Sequence, residues 1–270
     1  MFPRPENLLP PLRAAGVDPD LATLERAHYR AMATQDQEPR PPAPDTWWPN
    51  YLRSYVAACG VPENQCERLA LEIAQRPRPG GWAHAGLGVK EGLRALAEQG
   101  LPMGVVSNSD GTVAADLRRV GLCYAPDGPD APDGGPDGPD RPDAIPMGVI
   151  LDSAVVGVAK PDPRIFHLAL ETLNVPADGT VLHVGDSLRY DVAGALAAGL
   201  QPVHMDPYGF CPAPEGHPHV RSLAELASST ISARRLPSAV LARGDDPRYP
   251  PGGHRLRAHA LVQNAHPDAA

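Results

Sequence analysis

Residues 184–199 read VGDSLRYDVAGALAAG, and the fold turns on them. Ahead of them, Thr180-Val181-Leu182-His183-Val184 is a short apolar run of strand type, while Tyr190 to Ala198 has helical character. Between the two lies a strand-to-helix turn that carries Asp186 and Asp191. Two carboxylates at this spacing across such a turn can converge on a hard cation such as Mg²⁺. Alternatively, Asp191 simply serves the first turn of the helix, where the helix dipole favours negative charge.

The same strand-then-helix rhythm extends on both sides of this turn. Pro102 to Val106 is a strand ending at Ser107-Asn108-Ser109, and Thr112 to Val120 is a helix stopped by Gly121. Met147 to Leu151 is a strand. Asp162-Pro163 opens a helix through Leu173, and Gln201 to Met205 is a strand. Val89 to Gln99 is a helix that ends at Gly100. Short apolar strands alternating with helices predict a parallel sheet covered on both faces, with ligands bound at the carboxyl ends of the strands. Ser107 and Asn108 stand at one such end. There a hydroxyl and loop N–H groups can hold an oxyanion, although Ser-Asn also opens ordinary turns. Lys160, in Gly157-Val158-Ala159-Lys160-Pro161-Asp162, precedes a helix start, where an ammonium can neutralise a phosphoryl group or orient a carboxylate; a lone Lys is otherwise a solvated one.

Upstream, three helical stretches precede this region. Asp18 is the expected N-cap and Pro19 the first position of a helix through Met32, with His28 on or near its apolar face as a packed histidine. The others run from about Trp47 to Ala58 and from Glu63 to Gln75. Trp47, Trp48 and Tyr51 are read as core of this helical region in preference to the wall of a substrate pocket.

Composition narrows the class. The 270 residues include 34 Pro and 26 Gly, with a formal net charge of −8. Residues 126–146, PDGPDAPDGGPDGPDRPDAIP, hold seven Pro, six Asp and four Gly. Such a segment has almost nothing to bury and is expected to be a disordered loop; its irregular Asp spacing lacks the Glu of a calcium loop. The negative charge argues against a general nucleic-acid binder, which needs a basic face. No apolar run approaches the roughly 18 residues of a membrane span, and no secretory signal opens the chain, so a cytoplasmic location is expected. Four cysteines without a C-x-x-C pair read as reduced thiols and make a zinc site unexpected. His217-Pro218-His219 reads as a solvated loop in preference to a metal pair. The expected organisation is a helical region over 1–82, an α/β core over 83–228 and a loosely ordered tail over 229–270.

Taken in order, VVSNSDG (105–111), GVAKPDPRIF (157–166) and VGDSLRYDVAGALAAG resemble the second, third and fourth motifs of the haloacid dehalogenase (HAD) superfamily of hydrolases. The resemblance covers roughly 86–206. It implies a doubly wound, Rossmann-like parallel sheet with a helical cap inserted after the first strand, a place that residues 8–80 suit. By resemblance Ser107 binds a phosphoryl oxygen, Asn108 lines the same loop and Lys160 stabilises the charge. Asp186 and Asp191 hold Mg²⁺, and the substrate is a small phosphorylated metabolite.

One part of the pattern is missing. The family's first motif is a strand ending in Asp-x-Asp that supplies the nucleophile and the general acid/base. Asp18-Pro19-Asp20 opens a helix, Asp152 leads directly into the Lys160 segment and Asp206 follows the last strand, so none qualifies. By resemblance the missing strand lies between those ending at Ser107 and at Asp186, and its absence would leave two inward strand edges unpaired. The expectation is therefore that a nucleophile-bearing strand lies upstream of Met1. The rival readings are a non-catalytic HAD-like remnant that binds metal or phosphate, a 2-haloacid dehalogenase that works without metal, and a bare α/β interaction module.

Overall fold

The computed structural model describes residues 2–38, 44–75, 84–86, 88–126, 143–235 and 259–264. Four helices come first: α1 (Pro5–Ala14), α2 (Leu21–Gln37), α3 (Pro44–Ala58) and α4 (Glu63–Ala74). There follow α5 (Val89–Ala97), β1 (Met103–Ser107), α6 (Val113–Arg119), β2 (Cys123–Tyr124), β3 (Ile145–Pro146), β4 (Val149–Asp152), α7 (Ser153–Val156) and α8 (Pro163–Leu173). Next are β5 (Val181–Gly185), a π-helical turn (Leu188–Val192), α9 (Ala193–Ala197), β6 (Gln201–Met205), β7 (His219–Val220), α10 (Leu223–Arg235) and β8 (His259–Asn264).

Six strands form a sheet in the order β4-β1-β8-β5-β6-β7, and every pairing in it is parallel. Successive residues of a strand point to opposite faces, so each strand feeds two cores. Val105, Leu182 and Val184 join Leu93 and Leu96 of α5 and Leu223 and Leu226 of α10 on one face. Val106 and Val181 join Ile165, Phe166 and Leu170 of α8 and Ala195 of α9 on the other. This is the doubly wound α/β arrangement that the alternating pattern predicts. Gly194 allows a close approach on the second face, because a Cβ there would lie 2.8 Å from the Phe166 ring and 3.1 Å from Pro161 Cα.

The first four helices build a core of their own around Leu8, Leu12, Met32, Trp47, Trp48, Tyr51 and Tyr55, joined by Tyr190 from the α/β unit. Trp47 and Tyr51 stack with ring centroids 5.3 Å apart, so these aromatics are core, as expected. The start of α2 differs from expectation. Asp20, not Asp18, caps it by accepting from Thr23 N at 2.8 Å, while Asp18 pairs with Arg13 at 2.7 Å. Of two nearby carboxylates, the one three residues before a free helical N–H is the one that reaches it.

Two further expectations change. Most of the Asp/Pro segment, residues 127–142, lies outside the described residues. Its last residues are ordered: Asp143 accepts from Lys90 at 2.5 Å, and Ile145–Pro146 pairs with Cys123–Tyr124. The tail also departs from expectation. α10 runs across residue 229, and residues 259–264 form the central strand β8. β8 lies between β1 and β5, with Ala260 level with Met103 and Leu182, and Asn264 level with Ser107. The slot left unpaired in the sequence reading is thus filled by a strand far away in the chain. An unpaired buried N–H or C=O is costly, which favours any segment able to close both ladders.

If β8 completes both ladders, Val262→Pro should destabilise the protein by about 3 kcal/mol or more, because proline removes a ladder donor and is not tolerated in central strands. Urea unfolding of the full chain checks this; an unchanged midpoint would remove β8 from the stable sheet.

Candidate active site at the strand ends

The carboxyl ends of β1 and β5 flank β8, and the sequence-predicted residues collect there. Ser107 ends β1, and both it and Asn108 are fully buried. The Asn108 side chain clamps the backbone of Lys160. Its Nδ2 donates to Lys160 O at 2.9 Å, and Lys160 N donates to its Oδ1 at 2.7 Å. Asn108 is thus a positioning residue for the lysine.

Lys160 is buried, and its Nζ donates to Val106 O at 3.0 Å and meets Asp191 Oδ1 at 3.1 Å. Burial pulls the ammonium below its usual range, and Asp191 acts in the opposite direction. Asp191 is held from several sides. His183 Nε2 contacts the same Oδ1 at 3.0 Å, and Ser187 N donates to Oδ2 at 3.1 Å. The π-helical turn makes this possible. Val192 N reaches back to Ser187 O at 3.1 Å, and this wide turn swings Asp191 beneath Ser187, towards the lysine.

Asp186 follows β5. Its Oδ2 bonds His28 Nε2 at 2.8 Å, and His28 Nδ1 bonds Tyr51 OH at 2.8 Å. Burial pushes the Asp186 carboxyl up, but His28 and then Lys160 outweigh burial and hold it below the ordinary carboxylate range. Its Oδ1 is buried with no hydrogen-bond partner among the described residues. A bare carboxylate oxygen is the donor that a hard cation takes, so Asp186 fits Mg²⁺. Asp191 lies at the same strand end, but both its oxygens are engaged by the lysine, the histidine and a backbone N–H.

α2 meets this region twice. Besides His28, Asp36 near its far end accepts from Leu188 N at 2.7 Å, Ser187 Oγ at 2.9 Å and Arg189 N at 3.1 Å. Burial pushes the Asp36 carboxyl up to about 6 against these bonds. The sequence reading gave His28 a packing role only, and passed over Asp36 and His183. The carboxylates weighed as first-motif candidates have structural work. Asp152 accepts from Gly111 N and Val113 N at 3.0 and 3.2 Å and from Ala154 N at 3.0 Å, and so caps two helices. Asp206 accepts from Phe210 N at 2.8 Å and Cys211 N at 3.0 Å.

The doubly wound sheet thus brings a buried lysine, a hydroxyl and a carboxylate oxygen without a partner among the described residues to neighbouring strand ends. The family model of the haloacid dehalogenase-like hydrolases matches residues 87–199, the span from α5 to α9, so this part of the chain is similar to that family. Haloacid dehalogenase-like hydrolase domain-containing protein 3 of Bos taurus is 29% identical over 200 residues, 70% of this chain and 69% of its own length. Ribulose-1,5-bisphosphate 5-phosphatase of Halopiger xanaduensis is 34% identical over 119 residues, 44% of this chain and 41% of its own length. Among solved structures, the HAD-hydrolase YfnB of Bacillus subtilis, bound to magnesium, is 18% identical with a TM-score of 0.49, over 83% of this chain and 89% of that one. Its relatives thus include phosphatases. Among the described residues, no helix is long and apolar enough to cross a membrane.

Two outcomes follow from this geometry. Lys160→Met strands Asp191 in a buried site and should cost about 3–5 kcal/mol, whereas Lys160→Met/Asp191→Asn should recover at least part of that loss. Chemical denaturation of the two variants measures the difference. The second outcome concerns pH. Folding raises the Asp36 carboxyl from its ordinary 3.8 to about 6, so the folded state holds this proton more tightly than the unfolded chain does. Its contribution is fully present below about pH 4 and is lost as the pH rises to about 6. Asp36→Asn should flatten that part of the stability curve; an equal slope in wild type and variant would show that Asp36 titrates normally.

Proposed function

We propose that this chain is the phosphate- and metal-binding body of a Mg²⁺-dependent phosphohydrolase acting on a small phosphorylated metabolite. The observation that carries the reading is the buried Lys160 ammonium beside the end of β1, where Ser107 sits, with the free Oδ1 of Asp186 at the end of β5. The phosphatase named among its relatives supports the same reading. In this proposal Ser107 donates its hydroxyl to a phosphoryl oxygen, and Lys160 supplies fixed positive charge where charge accumulates. Asp191 holds the lysine in place and lies beside Asp186 at the metal end. Mg²⁺, held through Asp186, would add a Lewis acid for the phosphoryl oxygens.

The nucleophile is a separate matter. By register Asn264 stands level with Ser107 at the end of the central strand, and an amide cannot form an aspartyl-phosphate. A strand ending in Asp-x-Asp in that slot would supply such a nucleophile and would compete with β8 for it.

The test separates binding from turnover. Calorimetry with inorganic phosphate should show binding that requires Mg²⁺, that weakens about tenfold or more in Ser107→Ala, and that loses its metal dependence in Asp186→Asn. Turnover of phosphomonoesters should need a carboxylate on the central strand. Phosphate binding indifferent to Mg²⁺ and to both substitutions would overturn the proposal, as would turnover that survives Asp186→Asn.

A further inference from the structure

At the far edge of the sheet, away from the β1 end, four side chains converge that the phosphoryl site does not use. His204 lies on β6 level with His219 of β7, and the two strands are locked by His204 N donating to Pro218 O at 2.8 Å and Asp206 N to Val220 O at 2.9 Å. The connecting loop folds back because the Asp206 carboxylate accepts from Phe210 N and Cys211 N. That turn brings Cys211 Sγ to 3.7 Å from His217 Nε2, which is itself 3.3 Å from His204 Nδ1. One ligand atom from each of His204, Cys211, His217 and His219 lies within 4.8 Å of all the others.

Hydrogen bonding alone explains this cluster poorly. A contact between two imidazole nitrogens needs one proton and one lone pair, yet three rings and a thiol crowd the same point. The Nε2 of His219 is buried there with no partner among the described residues. Burial first, then His219 and His204, pull His217 down to about 4, and burial also lowers His204. Neutral imidazoles facing one another are the form a metal ion accepts. The distances fit as well. A tetrahedral Zn²⁺ with bonds of about 2.0–2.1 Å to nitrogen and about 2.3 Å to sulfur sets N–N edges near 3.3 Å and N–S edges near 3.6 Å. The two short contacts have these lengths, and small side-chain rotations would close the rest. His204 also interacts with the Asp186 backbone, the kind of outer partner that fixes the ring of a metal-ligating histidine.

We propose that His204, Cys211, His217 and His219 form a four-ligand site for Zn²⁺. Four protein ligands leave no open position, so the site is structural. Burial raises the Cys211 thiol, and loading the ion displaces its proton. The ion would fix the loop over residues 206–218 to the sheet. That loop carries Phe210, with the Arg30 guanidinium 3.8 Å and the Arg26 guanidinium 5.1 Å from its ring centroid, and Tyr208, whose ring is 5.7 Å from Tyr29. Zinc would therefore hold the wall against which α2 rests.

The test uses the full chain. Purified from zinc-supplemented medium, it should carry one zinc per chain by elemental analysis. Stripped and reloaded with Co²⁺, it should show intense visible d–d bands and a thiolate-to-cobalt charge-transfer band in the near ultraviolet. Cys211→Ser should abolish the charge-transfer band, and Cys211→Ser and His217→Asn should each weaken Zn²⁺ binding about a hundredfold or more. Asp186→Asn should leave the spectrum unchanged. A wild-type chain that takes up no stoichiometric zinc, or a cobalt complex without the thiolate band, would overturn the proposal. So would zinc binding unchanged in both ligand variants, with circular dichroism confirming that they fold.

Discussion

Lys160 carries its charge where water is almost wholly excluded, and Asp191 is what allows it to stay there. Desolvation alone would drive the ammonium towards neutrality. The pairing at 3.1 Å opposes that drift. It also ties three segments together, since the same ammonium donates to Val106 O in β1 while Asp191 is held by His183 of β5 and by Ser187 N. Asn108 completes the frame by gripping the Lys160 backbone from both sides. Loosening any member misplaces the rest, because no solvent is present to take over a lost partner.

The helical region is coupled to this frame by one helix. His28 and Asp36 are eight residues apart on α2, about 12 Å along its axis, a little over two turns. One binds the Asp186 carboxylate and the other binds three donors of the π-helical turn that places Asp191. A displacement of α2 therefore alters the carboxylate that suits a cation and the turn that positions the lysine's partner. The coupling is direct contact at both ends, which is what reciprocal linkage between the position of α2 and the geometry of the strand ends requires.

The parallel sheet was legible because its elements obey local rules. Apolar runs such as Val181–Val184 and Gln201–Met205 are bounded by turns, and helices such as Pro163–Leu173 begin at a capping Asp. The place of Ser107, Asn108 and Asp186 at the strand ends was legible because they end or directly follow those strands. What escaped the sequence depends on distant encounters. β8 has only Ala260-Leu261-Val262 as an apolar core, too short to announce a strand; the open slot between β1 and β5 defines it, not its own periodicity. His28 reads as a packed histidine and is one, but only the folded chain shows its second nitrogen reaching Asp186. The histidine–cysteine cluster was hidden for the same reason. Its spacing matches no short zinc pattern, because His204 belongs to one strand, His219 to the next and Cys211 to a loop doubled back by Asp206.

Asp186 shows how these constraints meet. One of its oxygens is satisfied by His28 from α2, and the other is buried without a partner among the described residues. Leaving a charged oxygen unmatched costs more than leaving a neutral one, so something must compensate. His28, Lys160 and the low carboxyl range that they produce show the compensation taken: the protein keeps the charge rather than the proton. A site built to keep a carboxylate ionised while withholding partners from one of its oxygens is poised for a cation. A pure hydrogen-bonding role would have supplied a second donor, as the same turn does for Asp191. The two aspartates therefore differ in what the fold asks of them: Asp191 is saturated and holds Lys160 in place, whereas Asp186 keeps one oxygen open.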